Sequence, residues 1–162
     1  MEEKSNHMGL GGILGIQNVF VDTFVHALDA KKRLTIPSEW RGLVGNPEQL
    51  FVMPSPNDLC LDVYPVSTIS ERLKSMPKNS VADPEWQARL RVISANANLI
   101  GWDAQGRIRI KDHLLDFAQL ATDVVMVGVF ERFELWSPKL WKQRQPDIDQ
   151  QKLGTAVRSV GL

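Results

Sequence analysis

The chain contains an internal repeat. Residues 26–36 (HALDAKKRLTI) align with residues 100–110 (IGWDAQGRIRI) at an offset of 74, sharing Asp-Ala-x-x-Arg followed by alternating apolar and polar positions. At the same offset 50–53 (LFVM) matches 124–127 (VVMV), whereas 61–65 (LDVYP) matches 133–137 (FELWS) at an offset of 72. A two-residue slip between otherwise parallel matches is what a hairpin loop of different length produces. Any architecture for this chain has to satisfy two copies of one supersecondary unit.

Each copy reads alike locally. Phe24, His26 and Leu28 alternate with Val25, Ala27 and Asp29, which predicts a strand, then a tight turn and a second strand over 33–36. Pro37 ends that strand, and Ser38 is placed to cap a short helix through about 43. A hairpin follows, with strands over 50–53 and 59–64 around Pro54-Ser55-Pro56-Asn57-Asp58. The second copy predicts strands over 99–103 and 107–110, a short helix after Asp112, and strands over 124–129 and 132–136. Further helices are expected over 67–76, over 83–96 from an Asp-Pro start, and from Ser137-Pro138, where Ser caps and Pro fits the first helical position. Trp86, Leu90 and Ile93 recur at helical spacing in the helix joining the copies. The fold class expected is α+β: two pseudo-repeated β-hairpin units packed as a small barrel-like β core with flanking helices.

Composition enters as a bound on function. With 162 residues, 43% hydrophobic and 23% charged, the chain fits one ordinary domain or two small packed halves. Its apolar runs fall far short of the ~20 residues that cross a bilayer. The apolar segment 9–16 follows two Glu and one Lys instead of a basic region, so no secretory signal is expected. A single cysteine, Cys60, cannot form an internal disulfide, and a cytoplasmic protein is the default. Nineteen Lys+Arg balance nineteen Asp+Glu, so the basic surplus usual in nucleic-acid binders is absent overall. Any DNA surface must concentrate positive charge locally or repeat it by oligomerisation.

Asp29-Ala-Lys-Lys-Arg33-Leu-Thr-Ile-Pro37 and Asp103-Ala-Gln-Gly-Arg107-Ile-Arg-Ile resemble the two D-x-x-x-R motifs of MraZ-type proteins, and residues 127–136 (VGVFERFELW) resemble the same family. The likeness covers about residues 20–145. It implies two AbrB-like, swapped-hairpin units in one chain: 21–76 and 99–145, joined by a connecting helix over 77–98. Residues 1–20 then form an N-terminal extension expected to be mobile, and 146–162 a polar, mobile C-terminal tail. The resemblance also implies a bacterial transcriptional regulator acting upstream of the division and cell-wall gene cluster. Ring-like homo-oligomers that bind short repeated DNA boxes, with the motifs facing DNA, are further implications. One departure stands out: the family's first motif carries Gly where this chain has Lys32.

In each motif, Asp opens a turn by accepting backbone N–H bonds, and Gly106 supplies a positive φ. Arg33 and Arg107 can then grip phosphate or a guanine edge, or simply pair with Asp29 and Asp103 to hold the turn. Neighbouring cations weigh toward DNA. Residues 29–41 carry Lys31, Lys32, Arg33 and Arg41 against Asp29 and Glu39, and residues 103–113 carry Arg107, Arg109 and Lys111 against Asp103 and Asp112. The first copy is thus the more basic surface.

Other residues point away from catalysis. His7, His26 and His113 lack ligand spacing, so no metal site is expected, and no cofactor either. Ser38 and Ser137 sit before helices without a nucleophile-elbow context. Cys60 reads as a small buried apolar residue in a strand, and Trp86 and Trp136 as packing residues instead of base-stacking platforms. The reading is a sequence-specific, double-stranded-DNA-binding regulator that is a homo-oligomer, with no membrane and no small-molecule substrate. Its rival is a scaffolding oligomer that binds another protein; an enzyme is disfavoured for want of an acid/base or nucleophile set.

Overall fold

The computed structural model describes residues 19–44, 49–77 and 81–162. In chain order these form β1 (Thr23–Ala27), β2 (Arg33–Thr35), α1 (Ser38–Arg41), β3 (Gln49–Pro54), β4 (Leu61–Pro65) and α2 (Val66–Ser75). The order continues with α3 (Pro84–Ala95), β5 (Asn98–Gly101), β6 (Arg107–Arg109), α4 (Asp112–Phe117), β7 (Asp123–Val129), β8 (Arg132–Trp136), α5 (Pro138–Arg144) and α6 (Gln150–Ser159). The class is α+β. Six strands form one antiparallel sheet in the order β1-β7-β8-β4-β3-β5, and β2 pairs with β6 in a separate ribbon. No closed barrel is present among the described residues.

The repeat governs the pairing. In the first hairpin Phe51 faces Tyr64, and in the second Val125 faces Trp136, which are equivalent pairs under offsets of 74 and 72. The slip falls in the loop: six residues separate the paired Pro54 and Leu61, but four separate the equivalent pair Gly128 and Phe133. The outer strands cross over between copies. β1 of the first copy lies on β7 of the second, with His26 opposite Val124, and β5 of the second lies on β3 of the first, with Ile100 opposite Leu50. These pairs are related by a pseudo-twofold axis. It passes through Leu34 opposite Ile108 in the ribbon and through Asp62 opposite Glu134 between β4 and β8.

The core lies where the two copies meet. Leu34, Ile36, Ile108 and Ile110 from the ribbon bury against Leu50, Val63, Met126, Phe133 and Leu135 of the large sheet. Trp40 of α1 is buried too, edge-on to Phe20 and Phe24, with its indole N–H donating to Val21 O at 3.1 Å. Phe20, assigned by the sequence to the N-terminal extension, is fully buried and exchanges backbone bonds with Phe130. Gly128 admits this segment, because a Cβ there would come within 2.6 Å of the Phe20–Val21 backbone. The remainder of the extension, through residue 18, lies outside the described residues.

Several local expectations are corrected. Ser38 does not cap α1: Pro37 occupies that position, its carbonyl accepting from Trp40 and Arg41 N–H, while the Ser38 hydroxyl donates to Glu39. Asp83 and Ser137 do cap their helices, each accepting from backbone N–H groups in the first turn. Cys60 is buried as expected but precedes β4 instead of lying in it. Residues 146–162, read as a polar tail, contain α6, which Asp149 caps.

Candidate nucleic-acid interface

Both D-x-x-x-R motifs form the same turn. Asp29 Oδ1 accepts from the Lys31 and Arg33 N–H groups at 2.9 and 2.8 Å, and its Oδ2 accepts from Arg33 Nε at 2.7 Å. Asp103 repeats this with Gln105 and Arg107 N–H at 2.9 and 3.0 Å and Arg107 Nε at 2.8 Å. Backbone bonds from Lys32 N–H to Asp29 O and from Gly106 N–H to Asp103 O close the two turns at 2.8 and 2.9 Å. The Arg33 and Arg107 backbone N–H groups hold Asp29 and Asp103 below their ordinary carboxylate values, partly opposed by desolvation and aided by the guanidinium bonds. The spacing is therefore first a turn-forming device, because one carboxylate can serve two N–H groups and a guanidinium only across four residues.

The fourth turn position is left-handed in both copies, with φ of 58° at Lys32 and 75° at Gly106. Gly106 has a second reason to be glycine. Arg41 folds across it, so that a Cβ would lie 2.0 Å from Arg41 Nη1. Arg41 is accordingly half-buried, and its Nε is buried with no hydrogen-bond partner among the described residues.

The β2–β6 ribbon then sorts its residues by face. Leu34 and Ile108 point into the core, which leaves Arg33 opposite Arg109 and Thr35 opposite Arg107 on the outer face. Arg33 and Arg107 keep about a third of their side chains exposed, at 30% and 27%. Lys31 and Lys32 flank this face in the first turn and are exposed. Asp112, at the start of α4, accepts from Arg109 at 2.8 Å and from Lys32 Nζ at 3.4 Å, and these cations hold its carboxyl below the ordinary range. The cations named from the sequence thus do not form two patches, one per copy. Arg33, Lys31 and Lys32 share a surface with Arg109, while Arg41 joins the turn of Gly106. Sequence reasoning passed over Asp112 and Lys111 as site residues. No local signal marked the Lys32–Asp112 contact, which joins residues 80 apart in the chain.

His26 meets the ribbon backbone and His113 follows Asp112 on α4, while the third histidine lies outside the described residues. His26 is half-buried, with Nδ1 2.6 Å from Thr35 O; His113 is exposed on α4; His7 lies among residues not described. A ligand-like cluster missed in the sequence lies on the pseudo-twofold axis, where Cys60, Asp62 and Glu134 bring their side-chain donors within 4.8 Å of one another. Arg132 already stands there, 3.4 Å from Asp62 and 3.2 Å from Glu134. Burial pushes the Asp62 carboxyl up, against the pull of Arg132, and pushes the Cys60 thiol up to about 12. The cluster reads as a buried ion-pair network that joins β4 to β8. Trp136 is buried and cannot stack on bases, whereas Trp86 is half-buried on α3, a helix that buries no residue.

Residues 93–156 match the family described as "MraZ protein, putative antitoxin-like". A protein of Desulfitobacterium hafniense named Transcriptional regulator MraZ is 35% identical over 147 residues, covering 89% of this chain and 99% of that protein. One of the same name from Clostridium tetani is 30% identical over 148 residues, covering 89% of this chain and all of its own length. Another, from Carboxydothermus hydrogenoformans, is 34% identical over 126 residues, covering 76% of this chain and 84% of its own.

Proposed function

The chain belongs to the MraZ family of transcriptional regulators, and on that premise we propose that it is a sequence-specific double-stranded-DNA-binding regulator whose contact surface is the outer face of the β2–β6 ribbon. The observation that carries this is the ribbon itself: a two-stranded antiparallel element, narrow enough for a major groove, with three arginines and a threonine outward and flanking lysines. Asp29 and Asp103 fix the Arg33 and Arg107 stems through Nε, which turns the Arg33 terminal nitrogens toward a base edge or a phosphate, whereas Arg107 Nη2 also donates to Gln105 Oε1 at 3.2 Å. Locally gathered charge answers a neutral chain.

The reading includes a ring-like homo-oligomer, cytoplasmic and nucleoid-associated, that engages repeated boxes before the division and cell-wall gene cluster. Supporting it, the edge strands of the large sheet, β1 and β5, expose Val25 and Leu99, and α3 exposes Val92 and Ile93. Repetition of a small basic face raises avidity without new contacts. The test is a titration of the purified protein against the DNA immediately upstream of its own coding sequence and a scrambled duplex. Binding should prefer the native sequence and weaken by about a thousandfold or more between about 50 and 200 mM salt if six or more phosphates are contacted. Equal binding to both duplexes overturns sequence specificity. Absence of DNA binding at low salt overturns the reading in favour of a protein-binding scaffold.

A further inference from the structure

The pseudo-twofold axis pairs the two ends of the ribbon, and the paired residues differ in charge. Lys31, Lys32, Arg109, Lys111 and Asp112 at one end correspond to Gln105, Gly106, Thr35, Pro37 and Ser38 at the other. Asp29 corresponds to Asp103 and Arg33 to Arg107, so the motifs carry the same charges at both ends, although Arg107 Nη1 also comes within 4.0 Å of Asp29. One end carries four additional cations, two from each copy, and one additional carboxylate, Asp112. At the other, Arg41 is folded over Gly106, and Glu39 accepts from the Ser38 hydroxyl.

Asp112 is the only carboxylate that the four additional cations bring with them, and one of its oxygens takes both Arg109 Nη2 and Lys32 Nζ. That oxygen sits where a phosphate oxygen would be held by the same two donors. All three side chains are exposed, at 60% for Asp112, 56% for Lys32 and 42% for Arg109, so the pairing is solvated and exchangeable. We infer that the duplex is gripped asymmetrically, at the Lys32–Arg109 end of the ribbon, and that Asp112 is a built-in counterion which a DNA phosphate replaces on binding. Asp112 then keeps non-specific affinity down, since each backbone contact at this end must first displace it. This deepens the DNA-binding reading above and rests on it.

The experiment is fluorescence anisotropy with a fluorescein-labelled mixed-sequence duplex of about three helical turns. It compares the full chain with Asp112→Asn, Asp112→Glu, Glu39→Gln and Lys111→Gln across about 50–200 mM salt. Asp112→Asn should bind about three- to tenfold tighter at intermediate salt, with a salt slope steeper by about one. Asp112→Glu should resemble the unaltered protein. Glu39→Gln deletes the same charge at the opposite end and should change affinity by less than about twofold. Lys111→Gln, at an exposed position, should weaken binding about threefold and keeps the test open if Asp112→Asn unfolds. Equal gains from Asp112→Asn and Glu39→Gln, no gain from a folded Asp112→Asn, or no loss from Lys111→Gln each overturn the asymmetric grip while DNA binding stands. An unaltered protein that fails to bind the duplex at low salt overturns DNA binding itself, and this inference with it.

Discussion

At Lys32 a side chain occupies a backbone conformation that its counterpart Gly106 adopts freely. A non-glycine residue in the left-handed region costs roughly 1 kcal/mol, from Cβ against the backbone. The compensating contact is an exposed ion pair to Asp112, and exposed pairs contribute about 0–1 kcal/mol. Glycine also adds freedom to the unfolded chain, which offsets part of the strain relieved. Lys32→Gly is therefore expected to melt at the same temperature as the unaltered protein or up to about 4 °C higher. Its DNA affinity should fall modestly and its salt slope flatten, because one cation beside Arg33 is gone. Calorimetry and anisotropy on the same variant check both halves, and a melting temperature lowered by several degrees would refute the strain argument. The positive φ at position 32 was legible in the sequence, because aligning the repeats puts Lys32 on Gly106. The seat of Arg41 was not, since its contact with Gly106 joins residues far apart in the chain and from different copies.

The motif turns are the elements whose pH dependence can be signed. Asp29 and Asp103 have carboxyl pKa values lowered in the folded state, first by the Arg33 and Arg107 backbone N–H groups. A depressed folded pKa contributes stability that is present above the unfolded value of about 3.9 and is lost as pH falls through the folded value. Melting temperature should therefore fall as pH drops below about 4. The double variant Asp29→Asn, Asp103→Asn should start lower at neutral pH and lose less across that acid window, the remaining loss reflecting groups such as Asp112. Parallel melting curves for the two proteins from neutral to acid pH would show that these turns do not carry the dependence. Strand and helix positions were largely legible because alternation and the Asp-Pro and Ser-Pro starts are local signals. Two elements escaped that logic. The first helix is capped by Pro37 instead of Ser38, because the proline carbonyl already takes the first helical N–H groups. The tail helix α6 buries no residue, and its signal, an Asp149 cap followed by Leu153, Val157 and Val160 at helical spacing, was overlooked in a Gln-rich stretch.

At the scale of the molecule, the repeat was readable but its pairing was not. A strand of the β1 type shows the same alternation whether it pairs within its own copy or with the other, so periodicity alone could not distinguish two adjacent units from two interlocked ones. The registers decide for interlocking: β1 lies on β7 and β5 on β3, the ribbon takes one strand from each copy, and Asp62, Glu134 and Arg132 tie the copies at the axis. Each half therefore leaves two strands without partners and the underside of its ribbon strand uncovered, with Leu34 or Ile108 turned to water. Burying one such side chain contributes about 1.5–3 kcal/mol, and several are lost at once in a half of a chain whose whole stability is on the order of 5–15 kcal/mol. Fragments 1–80 and 81–162, divided between α2 and α3, are accordingly expected to be unfolded as monomers. Mixed at micromolar concentration they should recover near-ultraviolet circular dichroism and cooperative melting as a one-to-one complex, since the joining helix α3 buries no residue. Each fragment alone should gain structure only by pairing with a second copy of itself, which supplies an equivalent partner strand. A monomeric fragment 81–162 that melts cooperatively would show that the second unit stands alone and that strand exchange is not what holds this molecule together.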